Sequence, residues 1–161
     1  GSERLIFMPY LMGERTPHLN PRCRGAFVGL NIIHTKAHLL RAIMEGVTYS
    51  LADCNNILKD LGISVKNMMA CGGGSKSPVW RQIMADLYDC NIIQMEQEEG
   101  PAYGVGAGVF KDVRDVSKRL VHRGKVTAPD EDEVSVYRKY HTLYDRLYQH
   151  MKQDFNDLYE L

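Results

Sequence analysis

From Leu39 onward the apolar residues Leu40, Ile43, Met44, Val47, Leu51, Cys54, Leu58 and Leu61 recur at spacings of three and four, the period of one helix face. The pattern predicts a long helix, with Thr35 placed to cap it and Gly62 to stop it. That stripe is expected to face the core, with Arg41, Glu45, Asp53 and Asn56 on other faces. Upstream, residues 5–12 read as a short strand and residues 25–30 as a second, joined by the polar loop 13–24 that Pro17 and Pro21 stiffen. Downstream, residues 67–71 read as a strand, Gly72-Gly-Gly as a turn, residues 78–88 as a helix and residues 91–95 as another strand. This strand, helix, strand order with short connections is the unit of a parallel sheet.

Beyond it, four glycines between Gly100 and Gly108 argue against a long regular helix. Residues 111–120 read as a short helix and 122–128 as extended chain. A last helix is expected from Glu133, after the acid-rich stretch 129–133, since acidic side chains favour a helix N-terminus. Its stripe, Val136, Tyr140, Leu143, Tyr144, Leu147, Tyr148, Met151, Phe155, Leu158 and Tyr159, is expected to pack on the body of the domain. No internal repeat or low-complexity segment interrupts this order.

Composition narrows the class. A chain of 161 residues, 44% hydrophobic and 25% charged, suits one globular domain with a real core. Twenty basic residues balance twenty acidic ones, so no net field draws in nucleic acid or an anionic membrane. No apolar run approaches the roughly 20 residues that span a bilayer, and no signal core opens the sequence, so a cytoplasmic location is expected. Residues 1–4 read as tag or linker. Cys23, Cys54, Cys71 and Cys90 stand singly and are expected to be reduced and mostly buried. The six histidines lack metal-ligand spacing and read as helix-start and surface residues, so no metal ligand is assigned.

The segment Ala70-Cys-Gly-Gly-Gly-Ser-Lys-Ser-Pro-Val-Trp80 carries the strongest chemical signal. The first N–H groups of a helix have no intrahelical partner and carry about half a positive charge, so they attract anions. Ser77 is a favoured cap and Pro78 is pre-set for the first helical position. Glycines allow a ligand to lie on bare backbone. The turn is therefore a candidate phosphate or nucleotide seat. It matches neither the Walker A loop, in which Gly-Lys-Ser/Thr closes the motif, nor the dinucleotide fingerprint, whose third glycine is missing. A tight structural turn is the alternative on these residues alone.

The stretches Phe7-Met-Pro-Tyr-Leu-Met-Gly-Glu-Arg-Thr-Pro-His18, Arg24-Gly-Ala-Phe-Val-Gly-Leu30, His38-Leu-Leu-Arg-Ala-Ile-Met-Glu-Gly46 and Gly72-Gly-Gly-Ser-Lys-Ser-Pro-Val-Trp-Arg-Gln82 together resemble the C-terminal half of the FGGY carbohydrate kinases, and most closely the xylulose kinases among them. The resemblance implies an α/β domain of the actin and hexokinase type, ribonuclease H-like, with a mixed sheet and flanking helices. It implies that residues 1–161 are a single nucleotide-binding domain forming one wall of a cleft.

Carried over by motif, Gly72, Gly73 and Gly74 would lie against the phosphates and adenosine of ATP or ADP. Ser75 would follow them, and Ser77 and Pro78 would open the helix near the adenine. Mg²⁺ would arrive on the phosphates. The sugar site and the proton-accepting aspartate would belong to an N-terminal domain absent here, so no catalytic residue is assigned and the chain alone is expected to be inactive. Trp80 is expected in the core. Glu45, Asp53 and Asp86 are expected at solvated helix surfaces or helix ends, and Glu14 and Arg15 at the cleft or the absent domain.

One departure from the pattern the resemblance implies stands out: Gly104 runs almost directly into Val105-Gly-Ala-Gly108 where a helix of small residues is expected, so about two helical turns are absent, either deleted from the protein or disordered and outside this sequence. The expected reaction is ATP with D-xylulose, giving ADP and D-xylulose 5-phosphate. Ribulose, gluconate and glycerol are the neighbouring acceptors, and homodimerisation is compatible with the pattern. A non-catalytic interaction module built on the aromatic C-terminal helix is the reading from a different class.

Overall fold

The computed structural model describes residues 1–95 and 123–161. The short helix expected over 111–120, the glycine-rich stretch after Gly100 and the shortening expected after Gly104 lie outside the described residues. In chain order the elements are β1 (Ile6–Met8), β2 (Ala26–Val28), α1 (Lys36–Asp60), β3 (Asn67–Ala70), α2 (Gly73–Lys76), α3 (Pro78–Tyr88), β4 (Asn91–Met95), β5 (Arg123–Thr127) and α4 (Glu131–Glu160). Among the described residues β1 pairs antiparallel with β2, while β3, β4 and β5 form a second sheet. In it β3 runs parallel to β4, with Met68 opposite Ile92, and β5 is antiparallel to β4, with Val126 opposite Ile93. This is the mixed sheet the resemblance implies.

The strand, helix, strand unit has the expected bounds because its punctuation is local. Ser77 Oγ accepts from the Trp80 N–H at 3.2 Å, Pro78 fills the first helical position, and Asp89 ends α3 in the left-handed region at φ 55°. α1 also runs as expected from cap to stop. The Nδ1 of His38 accepts from the Thr35 N–H at 3.0 Å, and Gly62 takes φ 78° after the last turn. α4 begins two residues earlier than the sequence suggests, because Asp130 caps it by accepting from the Asp132 N–H at 3.0 Å.

The face that α1 buries differs from the one its apolar stripe predicts. Leu40 and Leu51 are each 51% exposed and Leu61 is 71% exposed, whereas Ala42, Glu45, Gly46, Thr48, Tyr49, Ala52, Asp53 and Asn55 are buried. The reason is β1, which lies across Gly46 so closely that a Cβ there would collide with the Phe7 carbonyl oxygen. That contact turns the small and polar face inward. On α4 the buried residues are Val134, Tyr137, Tyr144, Tyr148 and Phe155, so the stripe packs as expected from Tyr144 to Phe155. Val136, Leu158 and Tyr159 stay exposed.

Among the described residues three apolar clusters organise the interior, a small one of Leu5, Phe7 and Ala42 and two larger ones. One joins Ile6, Met8, Tyr10 and Cys23 from the N-terminal part with Tyr49, Ile83 and the α4 residues Tyr137, Tyr144, Tyr148 and Phe155. The other packs Ala52, Ala85, Tyr88, Cys90 and Ile92 behind the β3–β4 pair. Within the first, Tyr144 donates to the Tyr10 hydroxyl at 2.7 Å, so two buried phenols satisfy one another. Of the cysteines, Cys23 and Cys90 are buried, Cys54 is half-buried and Cys71 is exposed, all as thiols.

Candidate functional site

β3 delivers the chain at its carboxyl end to Cys71 and Gly72. Gly72 sits at φ 79°, ψ −175°, a conformation that side chains rarely adopt, and turns the chain into the single helical turn α2. The sequence suggests an open turn here; the structure winds it. A Cβ placed on Gly72 or on Gly73 would meet nothing within 4 Å, so this backbone presents an open, bare surface. Gly74 is different, because its Cβ would lie 3.2 Å from the Trp80 ring. The indole therefore packs on the turn from behind, and its Nε1 donates to Thr48 Oγ1 at 3.0 Å.

The rest of the turn is built from within. Ser75 is 1% exposed and its hydroxyl donates to the Gly72 carbonyl at 2.8 Å, closing the turn on itself. Arg81 is buried as well, and its Nη1 donates to the Ser75 carbonyl. The structure thus brings Gly72, Gly73, Gly74, Ser75, Ser77 and Pro78 together around one turn. Gly72 and Gly73 form its open surface, Ser75 its inside, and Ser77 and Pro78 the start of α3. Sequence reading missed Thr48 and Arg81, which brace the turn. Arg81, one turn into a helix that follows the glycines, carries the only local signal of the two.

The three helical acids are buried and not solvated. Glu45 Oε1 accepts from Arg41 Nε at 2.7 Å and from the Tyr137 hydroxyl at 2.9 Å, while Oε2 accepts from Ser2 Oγ at 2.8 Å. Ser2 thereby joins the packed interior of the N-terminal segment. Asp86 Oδ1 accepts from Gln82 Nε2 at 2.7 Å and from the Asp130 N–H at 2.9 Å, which ties α3 to the start of α4. Asp53 Oδ1 accepts from His141 Nε2 at 2.6 Å. Each acid is dehydrated and partnered through at least one oxygen, which lowers the cost of burying a carboxylate. In the loop between β1 and β2, Glu14 pairs its backbone with Asn20 and accepts the Thr16 N–H at 2.7 Å, whereas Arg15 is exposed.

Relatives fix what the geometry leaves general. The model of the FGGY family of carbohydrate kinases, C-terminal domain, matches residues 1–107. The xylulose kinase of Staphylococcus epidermidis is 37% identical over 164 aligned residues, covering 98% of this chain and 33% of that protein. The solved xylulose kinase from Lactobacillus acidophilus superimposes with a TM-score of 0.85 at 30% identity over 98% of this chain and 33% of its own. The gluconate kinase from the same organism follows at 0.84, with the same identity and coverage. The chain spans about a third of the length of these relatives. With the family model covering two thirds of it and such relatives covering nearly all, the ribonuclease H-like ATPase fold is established, and the chain belongs to the FGGY family of carbohydrate kinases, within the family's C-terminal domain.

Proposed function

We propose that this chain is a single nucleotide-binding domain of an ATP-dependent sugar kinase, with ATP and its Mg²⁺ held at the glycine turn and the sugar held by an N-terminal domain outside this chain. The observation that carries the reading is the open backbone of Gly72 and Gly73 at the carboxyl end of a strand in a parallel pair. Open α/β sheets bind their ligands outside the carboxyl ends of their strands. The Gly73 and Gly74 N–H groups, at the start of the turn, have no acceptor within it, which suits phosphate oxygens. ATP supplies the transferable γ-phosphoryl group. Gly72, Gly73 and Gly74 give the phosphates and adenosine access, Ser75 holds the turn closed, and Ser77 with Pro78 sets the direction of α3 beside the adenine.

Phosphoryl transfer depends on alignment of donor, acceptor and base, together with stabilisation of developing charge. The chain supplies one wall of that arrangement. Accordingly we assign it no catalytic base and no metal-ligating residue for this reaction. D-Xylulose is the acceptor favoured by the names of the most similar relatives. D-Gluconate is the second reading, because the gluconate kinase superimposes almost as well.

Gly73 gives a clean test, since a side chain there meets nothing and its backbone needs no positive φ. Calorimetric titration with Mg-ADP should give saturable binding that falls at least tenfold, about 1.4 kcal/mol, in a Gly73→Val variant of unchanged circular dichroism. Unchanged affinity in the folded variant overturns the seat. For the acceptor, a coupled assay of ADP release on protein carrying both domains should be faster with D-xylulose than with D-gluconate; the reverse order exchanges the two readings.

A further inference from the structure

Away from the glycine turn, α1 and α4 bring Asp53, His141 and Asp145 together, with one ligand-type atom of each within 4.8 Å of the others. His141 and Asp145 stand at i and i+4 on α4 and share one face, with Nε2 and Oδ1 3.6 Å apart, while Asp53 meets them from α1. The imidazole is fixed, because the Tyr49 ring stacks on it at 5.9 Å with planes 10° apart and Asp53 accepts from its Nε2. A second observation does not follow from the cluster itself. The Asp53 side chain is 8% exposed, and its Oδ2 is buried with no hydrogen-bond partner. A dehydrated carboxylate oxygen without a donor is costly, most of all when charged, so Oδ2 is an acceptor suited to a positive partner.

We propose that Asp53, His141 and Asp145 form a binding site for a divalent first-row transition-metal ion, Zn²⁺ in the first instance. One imidazole nitrogen with two carboxylates is a donor set that Zn²⁺ accepts at about 2.0–2.2 Å, water completing the tetrahedron. Two ligands at that distance on a tetrahedral ion lie about 3.3–3.6 Å apart. The His141–Asp145 separation of 3.6 Å already meets that span, and half-exposed Asp145 has the freedom to adjust toward Asp53. The 2.6 Å contact between Asp53 and His141 is shorter than two ligands of one ion would make. The ion enters by replacing the shared proton: from the imidazolium, Nε2 gives its hydrogen to solvent and its lone pair to the metal while Nδ1 keeps the ring's other hydrogen, and Asp53 turns a carboxylate oxygen to the same ion. Binding consequently releases protons.

Mg²⁺ is a poor candidate, since it prefers oxygen ligands in an octahedron. The site is thus chemically distinct from the Mg²⁺ carried by a nucleotide. Its consequence is mechanical, because the ion would join the long α1 to the last helix.

The test is titration of the purified, metal-stripped protein with Zn²⁺, and with Co²⁺ followed by its visible absorption. The expected result is one ion per chain in the wild type, tetrahedral-type Co²⁺ bands, proton release seen as a buffer-dependent binding heat, and a raised Tm. Mg²⁺ in excess should not displace it. His141→Ala should weaken binding more than tenfold. Asp145→Asn keeps the Asp53–His141 bond and so keeps the fold; it should weaken binding about tenfold as well. No saturable uptake by the folded protein overturns the proposal and leaves an Asp–His bond with a water on Oδ2. Uptake unchanged in both variants overturns it too, since the ion then binds elsewhere.

Discussion

Single atoms decide much of this structure, and the glycines show it by contrast. A methyl group on Gly46 would strike the Phe7 carbonyl, so Gly46→Ala should force β1 away from α1 and destabilise the protein by about 1–3 kcal/mol in urea denaturation. The same change at Gly73 meets open space and removes unfolded-state freedom, so Gly73→Ala should be neutral or stabilising by up to about 1 kcal/mol in the same experiment. The two outcomes separate a glycine required for packing from one that leaves room for something outside the chain.

Tyr137 presents the same distinction among polar groups. Its hydroxyl donates to Glu45 and accepts from Arg41 Nη2 at 2.7 Å, so Tyr137→Phe removes both bonds while keeping the ring. The expected cost is about 1–2 kcal/mol, read as a lower denaturation midpoint with unchanged slope. None of these roles is visible in the residue types. Glu45 and Asp86 look like ordinary surface acids of amphipathic helices until the partner segments, some 40 or more residues away, are in place.

At the level of elements, the parts legible in the sequence are those whose signals are local. Ser77, Pro78 and Asp89 bound α3 through their own backbone and side-chain geometry, and β4 follows at once, so both elements appear where the pattern puts them. The rotation of α1 about its axis was not legible. Its apolar stripe is the stronger pattern, yet β1 selects the opposite face because only Gly46 permits the close approach. The glycine turn could be read as a turn, but not as a braced one, since Thr48 and Trp80 are 32 residues apart.

The junction of α3 and α4 is likewise non-local: Asp86 holds the Asp130 N–H, and Asp130 in turn caps α4. Asp86→Ala should therefore cost about 1–3 kcal/mol and speed hydrogen exchange in the first turn of α4 ahead of the rest of that helix. Uniformly faster exchange along α4 would show that the link supports the whole helix and not its start.

For the whole molecule, the exposed side of α1 has consequences for behaviour in solution. Leu40, Leu51, Ile57, Leu58 and Leu61 all lie on the surface, a concentration of large apolar side chains that isolated domains seldom tolerate. The chain should self-associate as its concentration rises, and Leu51→Glu should reduce that tendency in sedimentation velocity without lowering Tm. A monomeric profile for the wild type across the range would contradict it.

The core has a further consequence, for the order of events during synthesis. Tyr10 and Tyr144 meet across 134 positions of sequence, so β1 and its loop have no completed interior until α4 has been made. Such distant closure is slow compared with local folding. The unit from β3 to β4 can form early, because its contacts span few residues. The first strand must wait, its edge and its aromatic residues open to other chains, until the last helix is released. A nascent chain stalled before Tyr144 is therefore the form of this protein most dependent on chaperones and most prone to aggregate.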